Sequence, residues 1–173
     1  MSEQTYMKLQ DKVNRPKFSR ENINRENKHF KRVVDQYQKW CISDGGYEET
    51  RETYENDIID CLEEYDLDGF ALAQYLSECK YIEPDSELVH ILEDVTFVKR
   101  SLETEMLSQW VMENFLTIPD DVVGKNVNVK QGIRKYENHY ITGIKPETYQ
   151  VTVSDKIDKN GGYIVGFENV TFL

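Results

Sequence analysis

Several features that mark common classes of protein are missing from this sequence. No run of 18 or more apolar residues occurs, so no segment is predicted to cross a membrane. The first residues, Met-Ser-Glu-Gln-Thr, lack the basic and then apolar layout of a secretory signal. We therefore expect a protein that stays in the cytoplasm, where it is made.

Metal and cofactor sites are not indicated either. The three cysteines, Cys41, Cys61 and Cys79, are spaced 20 and 18 residues apart. A zinc site built from them and His90 would need ligand pairs two to four residues apart. Because each cysteine falls in an apolar stripe of a predicted helix, we expect three buried, reduced thiols. The sequence predicts no metal and no cofactor.

Motifs of catalysis and nucleotide binding are missing as well. The histidines, His29, His90 and His139, lie in separate segments, and none accompanies a nucleophile motif of the Gly-x-Ser-x-Gly type. The Gly-Gly pairs at 45 and 161 fit no dinucleotide-binding or Walker pattern, so we expect them to form turns. We therefore predict that the chain is not an enzyme.

Negative charge is abundant, and it is unevenly placed. Residues 1–32 hold nine Lys/Arg against four Asp/Glu, for +5, whereas residues 33–120 hold five against 22, for −17. Residues 121–173 are close to neutral at +1, which accounts for the net charge of −11. The run from Asp44 to Asp68 has eleven carboxylates and one base. Such a field favours basic partners and repels nucleic acid.

The residue patterns divide the chain into three parts. Residues 1–18 have no periodicity and predict a flexible basic arm. Residues 19–118 predict an acidic helical domain of four or five helices, the first over about 20–42 and the second over about 47–65. Residues 119–173 alternate apolar and polar positions between glycine turns, which predicts a small SH3-like antiparallel β-barrel or sheet. The predicted fold class is α+β.

The acidic face of the second predicted helix is the leading candidate for a binding surface. Its carboxylates recur three or four residues apart, so they lie in neighbouring columns about 5–6 Å apart. Like charges at this spacing destabilise a helix, and a natural sequence keeps them more readily when a partner uses them; a merely solvated face is the alternative. The predicted partner-binding residues are Glu48, Glu49, Glu52, Glu55, Asp60, Glu63 and Glu64.

This surface predicts an inhibitor or regulator that binds a basic-surfaced protein. The target would be the nucleic-acid-binding groove of a nucleic-acid-processing enzyme complex, such as a defence nuclease. Columns of carboxylates resemble the phosphates along a strand, which is the strategy of phage-type DNA mimics that block restriction or CRISPR enzymes. The resemblance is to a physical strategy and carries over no residue. The expected source is a phage or mobile element, and the location is then the host cytoplasm.

A second interpretation assigns the function to the basic residues. The arm and the barrel would hold nucleic acid, while the acidic helices recruit a protein; alternatively, the arm folds against the chain's own acidic helices. The candidate contacts are Lys125, Lys130, Arg134, Lys135 and Tyr136. Direct contact with nucleic acid is less favoured, because −17 over residues 33–120 opposes the approach of phosphates. The sequence does not indicate an oligomeric state.

Overall fold

The α+β class is confirmed by a computed structural model that describes residues 14–43, 48–64, 68–114, 116–157 and 162–173. Helices come first and an antiparallel sheet follows. Some predictions lie outside the described residues, namely most of the flexible arm, the Gly-Gly pair at 45, the first glycine of the pair at 161, and the carboxylates Asp44 and Asp66.

Five α-helices precede the sheet in the described part of the chain. Thr50, Asp68 and Asp85 each cap the helix that follows, by accepting a hydrogen bond from the backbone N–H three residues on. These side chains satisfy amides that have no partner within the helix. The helices are α1 (Lys28–Ser43), α2 (Arg51–Glu63), α3 (Gly69–Lys80), α4 (Ser86–Glu93) and α5 (Val95–Glu113).

The first helix starts later than predicted. A helix over about 20–42 was expected, but a 3₁₀ turn occupies Arg20–Asn22 and α1 begins at Lys28. The carboxamide oxygen of Asn27 accepts hydrogen bonds from the amides of His29 and Phe30. Asparagine side chains compete in this way for backbone donors, which favours a cap over a continuous helix. The apolar spacing of the segment does not reveal this competition.

Residues 17–106 form one compact unit, which we call the helical unit. Its core is built from the apolar stripes of the helices, and its largest fully buried side chains are aromatic. On α1 the stripe is Phe30, Val33, Val34, Tyr37, Trp40 and Cys41, all buried as the sequence predicts. Tyr37 packs edge-on against Tyr54 of α2 and is stacked near Trp40. The burial of these stripes stabilises the unit.

A charged group lies inside this core. Asp57 of α2 is 1% exposed, and one of its oxygens lies 2.6 Å from Nζ of Lys80 on α3. The other oxygen accepts a hydrogen bond of 3.2 Å from the hydroxyl of Tyr37 on α1. Burial raises the pKa of Tyr37 above its usual value, so this hydroxyl stays a donor. Asp57 therefore joins three helices.

Residues 14–16 and 107–173 belong to a second compact unit, the β unit. Its strands pair antiparallel in the order β4-β3-β2-β1-β5. The ladders of the described residues leave β4 and β5 as edges, so the antiparallel sheet is confirmed and a closed barrel is not shown. The strands are β1 (Asn126–Gln131), β2 (Arg134–Lys145), β3 (Gln150–Ser154), β4 (Tyr163–Gly166) and β5 (Val170–Phe172).

Trp110 and Phe167 pack with the valines of the sheet in the core of the β unit. Val127 and Val129 of β1 alternate with outward-facing residues, in agreement with the period-two pattern. Val122, which lies within the segment predicted to form the sheet, ends a 3₁₀ turn over Asp120–Val122. The sequence predicts domain limits at 18/19 and 118/119, where the secondary structure changes. The compact units of the structure divide instead at 16/17 and 106/107, because the units are defined by packing.

Arg15, which the sequence assigns to the flexible arm, is held in the β unit. Its guanidinium makes a two-pronged ion pair with Glu168, at 2.6 and 3.1 Å. It also donates to the carbonyl oxygens of Thr148 and Tyr149, and it lies over the ring of Trp110. A paired, planar guanidinium of this kind is specific for its partners. Arg15 is therefore committed to the fold of the β unit.

The cysteines are not all buried. Cys41 and Cys61 are buried, and burial raises the pKa of Cys41 to about 11 and that of Cys61 further still. Cys79 is exposed, so the expectation of three buried thiols is wrong for this residue. Helical spacing places position 79 in line with Leu72 and Leu76, but the burial of that stripe ends at Leu76, one turn before α3 ends.

The buried ion pair makes a prediction about stability. Replacing Lys80 with methionine keeps most of the apolar stem but leaves Asp57 buried beside a single hydroxyl donor. We expect the free energy of unfolding in urea to fall by about 3 kcal/mol, which is the lower end for breaking a buried ion pair. Lys39→Met changes an exposed lysine of α1 and should stay within about 0.5 kcal/mol. Equal losses in the two variants would contradict a structural role of the pair.

Candidate functional site

The seven predicted partner-binding carboxylates lie along and beside α2. Glu48 and Glu49 precede the helix, and Glu64 follows it as the C-cap. Most of the seven are exposed, whereas Glu55 and Asp60 are half-buried. We call this set the acidic face. The inward side of α2 carries Tyr54, Ile58 and Leu62, so the predicted amphipathic orientation of the helix is the one observed.

Two arginines of the chain itself cover the middle of the acidic face. Arg20 pairs with Asp60 and lies 3.7 Å from Glu63, and Arg25 pairs with Glu55 at 2.8 Å. The hydrogen bond with Asp60 raises the pKa of Arg20. One alternative was that the basic segment folds against the chain's own acidic helices, and both arginines are in fact paired in this way. They reduce the charge that the acidic face offers to a partner.

Arg51, the single base in the run from Asp44 to Asp68, is also held in ion pairs. Its Nη1 lies 2.7 Å from Oδ1 of Asp35 on α1, and its Nε lies 3.2 Å from Oε1 of Glu55. The hydrogen bond with Asp35 raises the pKa of Arg51. Glu55 is thus paired with both Arg25 and Arg51. The carboxylates held in such pairs are Glu55, Asp60 and Glu63.

The rest of the acidic face is open. Glu48, Glu49, Glu52 and Glu64 form no ion pair with any cation of the described residues. By sequence, the helical unit holds 22 Asp/Glu and 11 Lys/Arg, for −11, whereas the remaining residues hold ten of each. The whole net charge of the protein therefore belongs to the helical unit.

The predicted basic contacts divide into two places in the β unit. Lys130, Arg134 and Lys135 flank the turn between β1 and β2, with Lys130 directly opposite Lys135. None of the three pairs with a described carboxylate, and we call them the basic hairpin. Lys125 lies just before β1, five residues from Lys130, which is about 16 Å along a strand at a rise of 3.3 Å per residue. It is close to Asp121 and over the ring of Phe172, so the structure separates it from the hairpin.

An aromatic cluster adjoins the basic hairpin. Tyr136 is stacked on Tyr163 with 5.0 Å between ring centroids, and His139 lies 5.6 Å from Tyr136. Sequence reasoning named Tyr136 but missed Tyr163, which is 55% exposed, because the two belong to β2 and β4 and only the tertiary fold brings them together. At the turn, Gly132 has a φ of 60° and Ile133 is 99% exposed.

A groove in the helical unit was not predicted. It lies between α3 and α4, has a volume of about 780 Å³, and is lined largely by apolar atoms. Phe70 is 59% exposed at the edge of this groove. The spacing of residues could not reveal the groove, because it arises from the way in which α3 and α4 meet.

The described residues contain neither a metal-binding cluster nor a membrane-spanning helix. No group of three or more His, Cys, Asp or Glu among them could hold a metal ion. None of their helices combines the length and the apolar character needed to cross a bilayer. Comparisons with protein-family models, with curated proteins and with solved structures found no match for the chain. The candidate sites are therefore the acidic face, the basic hairpin with its aromatic cluster, and the groove.

The internal pairing of the acidic face is testable with a cationic probe. Replacing Arg20 and Arg25 with glutamine releases Asp60 and Glu63 and leaves Glu55 paired with Arg51 alone. We therefore expect an octalysine peptide to bind about two- to tenfold more tightly. The affinity is measured by isothermal titration at low salt, where exposed charges are least screened. The double variant Lys28→Gln and Lys39→Gln has the same net charge and serves as control. Equal tightening in both variants would show that only net charge matters.

Proposed function

We propose that this protein is a binding protein, an inhibitor or regulator, whose acidic helical unit attaches to a basic surface of a partner. The observation that carries the proposal is the segregation of charge. The helical unit holds the entire −11, and exposed carboxylates at both ends of α2 have no cationic partner among the described residues. A surface of this kind attracts basic partners and accelerates their association.

The fold of the helical unit does not account for this charge by itself. The apolar stripes, the caps of α2 to α4 and the buried Asp57 pair supply the packing. Glu52 lies in the first turn of α2, where the helix dipole favours a negative charge. Glu63 and Glu64 lie at the opposite end, where the dipole disfavours it. Carboxylates retained at that unfavourable end support a role in binding.

The finer form of the proposal is that the partner's basic surface is a nucleic-acid-binding groove, as in the DNA-mimic inhibitors of restriction or CRISPR enzymes. The arginine pairs leave free charge mainly at the two ends of α2 and not along a continuous column. Glu52 and Glu64 are separated by 12 residues, or about 18 Å along a helix. The protein would therefore present two anionic contact points to such a groove.

A pull-down at low and moderate salt tests this function. The tagged full chain is expected to capture a nucleic-acid enzyme from the cell that it acts in, and excess duplex DNA should release that enzyme. Glu48→Gln with Glu52→Gln should sharply reduce the capture, because these exposed carboxylates supply one of the two contact points and pair with no cation of the described residues. The control double variant, Glu21→Gln with Glu78→Gln, removes two exposed charges elsewhere in the helical unit and should retain it. Equal capture by both variants would contradict the role of the acidic face.

One observation favours a second candidate, direct contact of the β unit with single-stranded nucleic acid. The basic hairpin offers three cations that pair with no carboxylate of the described residues, beside the stacked Tyr136 and Tyr163. Residues 122–136 contain no acid at all. Cations that follow the phosphates and exposed rings on which bases stack are the components of such binding surfaces. The near-neutral β unit does not repel phosphates as the helical unit does.

This candidate is tested by the salt dependence of binding to a fluorescently labelled 20-nucleotide strand. Replacing Lys130, Arg134 and Lys135 with glutamine should lower the slope of log K against log salt by about 2, since each phosphate contact on a single strand contributes about 0.7. The triple control Lys125, Lys145 and Lys156 to glutamine has the same charge and should keep the slope. Identical slopes for the two variants would refute contact through the hairpin.

A further inference from the structure

The groove between α3 and α4 has a chemistry that neither candidate function uses. Phe70, Ala73, Pro84 and Val89 supply apolar surface, and the polar lining residues are Gln74, Asp85, Ser86, Glu87 and His90. Phe70 exposes 59% of its surface at the edge of this groove, whose volume is about 780 Å³. Concave surfaces of this size that combine apolar area with placed polar groups are typical of binding sites.

The groove is held in shape by close packing and by caps. A Cβ atom on Gly69 would lie 2.5 Å from the carbonyl oxygen of Val89, so the start of α3 lies directly against α4 and no larger residue fits. Asp68 caps α3, and Asp85 caps α4 while also accepting a hydrogen bond from the indole of Trp40. The bond from the Leu88 amide and that from Trp40 lower the pKa of Asp85. Because the groove is already formed, little free energy is lost to ordering its residues when a ligand binds.

The surroundings of the groove are strongly negative. Residues 68–94 contain seven carboxylates and one lysine, Lys80, whose ammonium pairs with the buried Asp57. Of the seven, Asp94 pairs with Arg32 of α1. Glu87 lines the groove, and His90 at its edge is 2.8 Å from a carboxylate oxygen of Glu93. A ligand that places an apolar surface in the groove therefore meets carboxylates around it. Lysine or arginine beside that apolar surface would complement them.

We propose that this groove receives the apolar face of an amphipathic helix of the partner protein, with lysines or arginines flanking that face. This inference rests on the proposed function, in which the acidic helical unit binds a basic partner. Helices and a short linker form the walls of the groove, so no strand edge is present there to pair with an extended peptide. A helix with apolar residues at i, i+3, i+4 and i+7 fits such a site.

The same charge argument makes a second copy of the chain a poor ligand for the groove. The helical unit carries −11, so two copies repel each other through this surface. The helix α1 carries four lysines and arginines, but its apolar stripe is buried in the core and is not available to the groove of a second copy. The structure thus favours a helix from a different, basic protein.

Two synthetic 18-residue helical peptides test the proposal on the full chain. Both carry lysines on the polar face; one carries leucines on the other face, and the second carries alanines there. Fluorescence anisotropy at moderate salt should show that the leucine peptide binds about tenfold or more tightly than the alanine peptide. Phe70→Ser should remove this preference. Phe97→Ser is the matched control, because Phe97 is a 51% exposed phenylalanine of the helical unit outside the groove, and it should retain the preference.

A further variant keeps the test decisive if Phe70→Ser unfolds. Gln74 is exposed and lines the groove, so Gln74→Lys adds a cation there without disturbing the core, and it should weaken the leucine peptide more than the alanine peptide. If native protein binds the two peptides equally, in a way that salt weakens, the groove proposal is overturned while the acidic-surface function stands. If neither peptide binds at low salt, both fail. Loss of the leucine preference in Phe97→Ser would also overturn the groove proposal.

Discussion

The helical unit depends on the ion pair that Asp57 makes with Lys80 inside an apolar core. A carboxylate that is 1% exposed must be compensated, and the ammonium of α3 and the hydroxyl of Tyr37 on α1 provide that compensation. Because Asp57 can keep these partners only at one rotation of α2, the pair fixes which side of α2 faces water. The acidic face is outward for that reason, and the groove depends on the same placement of α3.

Charge in this protein is arranged at two levels. Within the helical unit, Arg20, Arg25 and Arg51 neutralise the middle of the acidic face, which relieves repulsion among carboxylates that helical spacing brings close together. Across the chain, acids and bases balance in residues 1–16 and 107–173 but not in residues 17–106. The surplus charge is therefore a property of one compact unit. In the two functions proposed above, a basic protein and a nucleic acid would therefore be recognised by different parts of the same chain.

The features that sequence reasoning predicts correctly are local. The helix predicted over about 47–65 is α2, because apolar residues recur there at helical spacing, although it begins at Arg51 behind the cap Thr50. The late start of α1 was missed because Asn27 competes for backbone amides. Contacts between distant residues could not be read from any pattern: Arg20 reaches Asp60 across 40 positions, and Tyr136 meets Tyr163 only in the folded sheet. The groove is missed for the same reason.

The ion pair between Arg15 and Glu168 also affects the order in which the chain folds during synthesis. These residues are 153 positions apart, which the ribosome covers in about 8–30 s at 5–20 residues per second. The segment that forms the helical unit is made in full within this interval, whereas β1 must wait for β5, the last of the described strands in chain order. The nascent chain thus exposes a folded, strongly anionic unit while Arg15 is still without its carboxylate and the sheet is incomplete.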